Sequence, residues 1–116
     1  MFIQYNKSMI EVNYRGYTIY VGENAKENDE IIQKSNPNDI WAHISNFPSA
    51  HGVICNPSEK RVPQAILKRV CCIIKSKSNK CKSINQLEFD ICKIKDVEQT
   101  NTPGLVNISN VKNIII

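Results

Sequence analysis

Two short stretches restrict this chain more than anything else in it. They are Asp39-Ile40-Trp41-Ala42-His43-Ile44 and Ala50-His51-Gly52-Val53-Ile54-Cys55, joined by Ser45-Asn46-Phe47-Pro48-Ser49. The first alternates, the second is apolar or small, and the short connection between them reads as the loop of a β-hairpin. Strand side chains alternate between faces with period two. Pairing Ile44 with Ala50 therefore sets His43 opposite His51, Trp41 opposite Val53 and Asp39 opposite Cys55 on one face. Ile40, Ala42, Ile44, Ala50, Gly52 and Ile54 fall on the other, which is small, apolar and suited to a closely packed helix. A slip of one residue would exchange the two faces. The polar face gathers the single tryptophan and both histidines of the chain.

The sequence on either side supplies the rest of an architecture. Ile10 to Tyr14 and Tyr17 to Val21 flank Arg15-Gly16, a two-residue loop ending in glycine and a strong hairpin signal. Pairing Tyr14 with Tyr17 places Ile10, Val12, Tyr14, Tyr17, Ile19 and Val21 on one face and Glu11, Asn13, Thr18 and Tyr20 on the other. Met1 to Tyr5 read as an added edge strand or a frayed end. Asn24 or Asn28 caps a short helix reaching about Ser35, with Asn24 and Glu27 spaced as a capping box. Ile31 and Ile32 are its buried side chains, and Asn36-Pro37 ends it. A second, longer helix runs from Pro63 to about Ser78. There Ile66, Leu67, Val70, Ile73 and Ile74 fall within about 120° of one another, with Gln64, Lys68, Arg69, Lys75 and Ser76 opposite. Leu87 to Val97 and Val111 to Ile116 read as a last antiparallel pair, whose long connection holds Pro103-Gly104. The expectation is a single α+β domain over residues 1–116: a mostly antiparallel sheet built from hairpins, with one long amphipathic helix and one short helix packed on it.

At 116 residues, with 41% hydrophobic and 22% charged residues, the chain suits one soluble core. It holds no apolar run near the ~18 residues of a membrane helix and no basic-then-apolar leader, so the expected location is the cytoplasm, without a membrane partner. The cysteines number five, an odd count, and Cys71 and Cys72 are adjacent in a helix, where side chains diverge. They read as reduced thiols acting as small hydrophobes. His43, His51 and Cys55 share a face, but their spacing matches no structural zinc pattern, so neither metal nor cofactor is expected. Catalysis by Asp39, His43, His51 and Cys55 fares poorly too. His51 and Cys55 are four residues apart on one strand, about 13 Å at about 3.3 Å per residue, too far for a hydrogen bond.

Charge is unevenly spread. Residues 1–58 carry −2 and residues 59–116 carry +6, within the total of +4. Lys60, Arg61, Lys68, Arg69, Lys75, Lys77, Lys80 and Lys82 follow one another with no acidic residue between. Such a run attracts phosphate by counterion release, or simply forms a solvated helix face. The aromatic and imidazole rings of Trp41, His43 and His51 could stack on unpaired bases; if buried, they would instead position the loop Ser45 to Ser49, leaving Lys34 and Asn38 nearer a ligand.

Asp-Ile-Trp-x-His, a short loop and Ser-x-His before an apolar strand resemble the core of the NFACT-R domain. Tyr17-Thr18-Ile19-Tyr20-Val21-Gly22-x-Asn24-Ala25-x-x-Asn28-Asp29 is similar to that family's lead-in, and the helix from Pro63 and the Pro103-Gly104 turn follow in the family's order. The resemblance spans roughly residues 9 to 116. The family occurs in ribosome quality-control factors, in the coiled-coil domain-containing protein 25 family and as free-standing small proteins. It implies a nucleic-acid-binding, chiefly RNA-binding module without catalysis of its own. Three departures stand out: Ser49-Ala50-His51 replaces Gly-Ser-His, Ala42 replaces an aromatic residue, and Glu98 stands where lysine commonly follows the late valine, so no phosphate contact is carried over to that loop. Peptide tailing, which belongs to the large factors, is not carried over. The expected partners are tRNA or ribosomal RNA, with the ribosome beyond them. The expected contacts are Trp41, His43, His51, Lys60, Arg61, Lys68, Arg69, Lys75, Lys77, Lys80 and Lys82. DNA binding is a variant of this reading. A protein-interaction module, with a homodimer through Val111 to Ile116, is the alternative.

Overall fold

The structure, a computed structural model, describes residues 9–116; the segment 1–5 read above as an edge strand lies outside them. Strands β1 (Ile10–Tyr14) and β2 (Tyr17–Gly22) form the first hairpin, in the expected register of Tyr14 with Tyr17. Arg15 and Gly16 both take positive φ, 50° and 86°, the combination that a two-residue turn needs to match the right-handed twist of its strands. Helix α1 (Ala25–Lys34) follows. Asn24 is its N-cap and accepts from the Glu27 backbone N–H at 2.9 Å. The return arm of the capping box lands one residue early, since the Glu27 carboxylate accepts from the Glu23 N–H.

β3 (Ile40–Ile44) and β4 (His51–Ile54) form the central hairpin, with Trp41 opposite Val53 and Ala42 opposite Gly52, the register expected from the sequence. Helix α2 (Gln64–Ser76) is two residues shorter at its end than the pattern suggested. Pro63 sits at its N-cap with an extended ψ of 148° rather than in the first turn. β5 (Glu88–Lys93) and β8 (Lys112–Ile115) make the last antiparallel pair. The connection between them is structured: a 3-10 turn over Ile94–Asp96 leads into a small hairpin of β6 (Val97–Gln99) and β7 (Val106–Ile108).

Six strands form one antiparallel sheet in the order β1-β2-β4-β3-β5-β8. Each face of the sheet is covered differently. On one, Ile19, Val21, Ala42, Ile44 and Ile54 pack with Ile66, Val70, Cys71 and Ile74 of α2. Helix and sheet meet closely because position 52 is glycine: a Cβ there would lie 2.5 Å from Val70 Cγ2. On the other face Trp41 and Val53 pack with Ile31 and Ile32 of α1 and with Cys92 and Ile94, and Val106 and Ile108 of the small hairpin add to them. The hairpin is fastened to α1 by polar bonds. The Gly104 N–H donates to the Asp29 carboxylate at 3.1 Å, and Gln99 Nε2 donates to the Asp29 carbonyl. Gly104 has φ 78°, and a Cβ there would press on Ala25 at 2.9 Å, so both turn and contact call for glycine.

Candidate nucleic-acid interface

The central hairpin carries the three rings together. Trp41 and His43, two apart on β3, stack at 5.6 Å with 21° between their planes. His51 meets both edge-on, at 5.2 Å from Trp41 and 4.9 Å from His43. The Trp41 Nε1–H donates to His51 Nδ1 at 3.4 Å, and the His51 backbone N–H donates to Asn28 Oδ1 of α1. Trp41 is 1% and His51 3% exposed, whereas His43 is half-buried. The indole is therefore covered by its own chain and cannot present a face to a base.

Burial fixes the charge state of the pair. It pushes the His51 pKa down to about 3, with repulsion from His43 adding to the fall. His43 is also lowered, chiefly by burial, although Asp90 and the Phe47 backbone pull the other way. Both rings are neutral near pH 7. Asp90, paired with His43 across β3 and β5, accepts from Ser45 Oγ at 2.6 Å and from Asn113 Nδ2 at 2.8 Å.

A cleft of about 900 Å³ opens over His43 and His51. Its walls are the start of α1, the β3–β4 loop, the segment after α2 with Lys77 and Lys80, and the tip of the β6–β7 hairpin with Pro103, Gly104 and Leu105. A second groove, of about 690 Å³, lies beyond the other end of β3 and shares no lining residue with the first. Lys60 and Arg61 meet Lys93, Lys95 and Lys112 there, against the carboxylates of Glu59 and Asp96. Asp96 is partly engaged by Asn110, whose side chain donates to it at 3.0 Å.

The basic run of the sequence is thus divided. Lys60 and Arg61 belong to the second groove and Lys77 and Lys80 to the histidine cleft. Lys68, Arg69 and Lys82 are exposed, and the Arg69 guanidinium lies 5.1 Å from the Tyr14 ring centroid. Lys75, placed by periodicity on the solvent side, is half-buried, and its Nζ donates to the Ile116 carbonyl at 3.2 Å. Lys93, Lys95 and Lys112 escaped the sequence reading because they are scattered along the chain and come together only through the β5–β8 pairing. The small hairpin had a faint signal, the alternation of Val97-Glu98-Gln99 and Val106-Asn107-Ile108 about the Pro103-Gly104 turn.

Of the residues considered for catalysis, Asp39 holds a structural role. Asp39 is 3% exposed, and its two oxygens accept from the backbone N–H groups of Asn36 and Asn56. The Cys55 thiol is raised by burial and by Asp39 and Glu11, the opposite of an activated nucleophile.

Comparison with known proteins decides the family. The model of the NFACT protein RNA binding domain matches residues 1–110. The chain belongs to this family. Its NFACT domain is 30% identical over 95 residues to coiled-coil domain-containing protein 25 of Bos taurus, covering 79% of this chain and 41% of that protein. It is also 30% identical over 96 residues to the Rqc2 homolog RqcH of Bacillus subtilis, covering 78% of this chain and 16% of that protein. The chain therefore spans less than half the length of either relative. Among solved structures, the NFACT fold matches the C-terminal part of the fibronectin/fibrinogen-binding protein from Streptococcus suis, with a TM-score of 0.82 over 95% of this chain and 45% of that one. At 22% identity that likeness concerns the fold.

Proposed function

We propose that this NFACT domain binds RNA, with tRNA or ribosomal RNA as the target, in a translation or ribosome-quality-control setting in the cytoplasm. Membership of an RNA-binding domain family carries the reading. The groove of Lys60, Arg61, Lys93, Lys95 and Lys112 supports it with a mechanism. Those cations hold phosphates by counterion release and fix the strand without reading its sequence. Lys68, Arg69 and Lys82 extend the positive field over α2, and Lys77 and Lys80 extend it to the histidine cleft. Trp41 acts indirectly, by holding His51 and the floor of that cleft; His43 and His51 are the rings within reach of a ligand. No step of this reading calls for catalysis.

The test is a titration of labelled tRNA, followed by anisotropy at several salt concentrations, with duplex DNA as a parallel ligand. The expected result is RNA affinity that falls steeply with salt. Affinity unchanged over a several-fold rise in salt would remove the phosphate mechanism, and equal affinity for DNA would widen the ligand class.

A second reading is association through strand β8. It is an edge strand of the six-stranded sheet, and Ile115 on it is 61% exposed. An edge strand presents unpaired backbone groups to a partner or a second copy. Light scattering at high concentration tests it: a strict monomer argues against homodimerisation.

A further inference from the structure

We propose that the cleft over His43 and His51 seats one unpaired RNA base, so that the domain recognises a loop, bulge or end rather than a continuous duplex. This rests on the RNA reading above and assigns its base-contacting site.

His51 Nδ1 accepts the Trp41 indole proton, so the neutral ring carries its own proton on Nε2. Among the described residues no sealed side-chain nitrogen or oxygen lacks a partner. The Nε2–H makes no hydrogen bond there, so it is not sealed, and His51 lines the cleft. A residue only 3% exposed thus offers one donor, fixed in direction by the bond on the far side of its ring and by the Asn28 clamp on its backbone.

The surroundings select the ligand. The floor is two neutral imidazoles, which do not attract phosphate as a cationic floor would. The mouth is apolar where the β6–β7 hairpin reaches over it: Leu105 is 56% exposed there, beside Pro103, with Phe47 on the opposite loop. Lys77 and Lys80, both exposed, line the same cleft as Glu23 and Asp90 and supply the cations for the phosphates flanking a base. A flat, uncharged ring with an acceptor on its edge satisfies the donor, the apolar mouth and the two lysines together. The cleft volume of about 900 Å³ falls within the ~300–1,000 Å³ of small-ligand sites and suits a nucleotide rather than a helix. Extruded bases that stack on side chains and bond through their edges are the usual targets of RNA readers.

The test compares two RNAs of equal nucleotide count and nearly equal charge: a stem closed by an unpaired loop, and a fully paired blunt duplex. Binding is followed by anisotropy and by Trp41 fluorescence, which reports on His51 through the shared hydrogen bond. The expected result is a preference for the looped RNA of at least about five-fold, near the low end of what one stacked base contributes. A change in Trp41 emission should accompany the looped RNA alone. Leu105→Ala, at an exposed position that leaves the core intact, should reduce the preference while duplex affinity stays as it was, and His43→Ala should reduce the preference as well. Equal affinity for the two RNAs, insensitive to both substitutions, overturns the cleft proposal and leaves the RNA reading standing. Absence of salt-sensitive binding to either RNA overturns both.

Discussion

The Trp41 indole N–H and His51 Nδ1 face each other at 3.4 Å, joining the two strands of the central hairpin beneath the floor of the cleft. The bond gives a buried donor and a buried acceptor to each other, and either left alone would carry a desolvation cost. Trp41→Phe removes the donor and part of the ring volume. The expected loss is about 2–3 kcal/mol, combining an unpartnered His51 nitrogen with a small void. Chemical denaturation of the two proteins measures it, and an unchanged midpoint would show that the bond contributes nothing.

The buried histidines make stability depend on pH in one direction. His51 titrates near 3 when folded and near 6.5 when unfolded. Between those values the unfolded chain binds a proton that the folded ring refuses. Stability is therefore full above about pH 6.5 and falls as the pH drops towards 3, by at most about 1.4 kcal/mol per pH unit from this group. His43, also lowered, adds to the loss with the same sign. Denaturation midpoints at pH 7.5, 6, 5 and 4 should decline steadily, and His51→Asn should flatten the decline. A flat wild-type profile would contradict the burial of the pair.

Gly52 leaves room for α2. A methyl group there would lie 2.5 Å from Val70 Cγ2 and 3.0 Å from Ile74 Cδ1, and Val70 is β-branched and fully buried. Gly52→Ala should therefore destabilise by about 1–3 kcal/mol through overpacking, although alanine usually favours a strand over glycine. A gain in thermal midpoint would show that the helix can withdraw without penalty.

The small hairpin should come loose separately from the sheet. Gly104 combines a φ of 78° with a tight approach to Ala25, so Gly104→Val adds both backbone strain and a clash. Hydrogen exchange should speed up in residues 97–108, with protection in β1 to β5 retained. Uniform loss of protection would mean that the hairpin is one cooperative unit with the core.

The basic groove predicts a measurable slope. If Lys60, Lys95 and Lys112 each neutralise one phosphate, replacing all three with alanine should lower the slope of log affinity against log salt by about 2 on single-stranded RNA, at about 0.7 per contact. The same triple substitution should leave the Trp41 response intact, because these residues line the groove and not the histidine cleft. An unaltered slope would move the phosphate contacts to α2.

Local pattern determined the central features of this fold. Alternation placed Trp41, His43, His51 and Val53 on one face and Ala42, Ile44, Gly52 and Ile54 on the other, and the observed register agrees. The Arg15-Gly16 turn and the Asn24 cap were legible for the same reason, since each is decided by residues within a few positions of one another. Trp41 shows where that legibility stops. Period two says which face it occupies, but α1, Ile94 and the β6–β7 hairpin decide that this face is roofed at Trp41 and open at His43. Those segments come from distant parts of the chain, and their arrival depends on bonds such as Asp29 with Gly104, 75 residues apart. Charge behaves likewise. Eight basic residues that follow one another between positions 60 and 82 with no acidic residue among them part into separate sites, while Lys93, Lys95 and Lys112 join Lys60 and Arg61 because β5 and β8 pair. Period and turn chemistry are short-range properties that a sequence states directly; exposure and the grouping of charges follow from long-range packing and exist only once the sheet has closed.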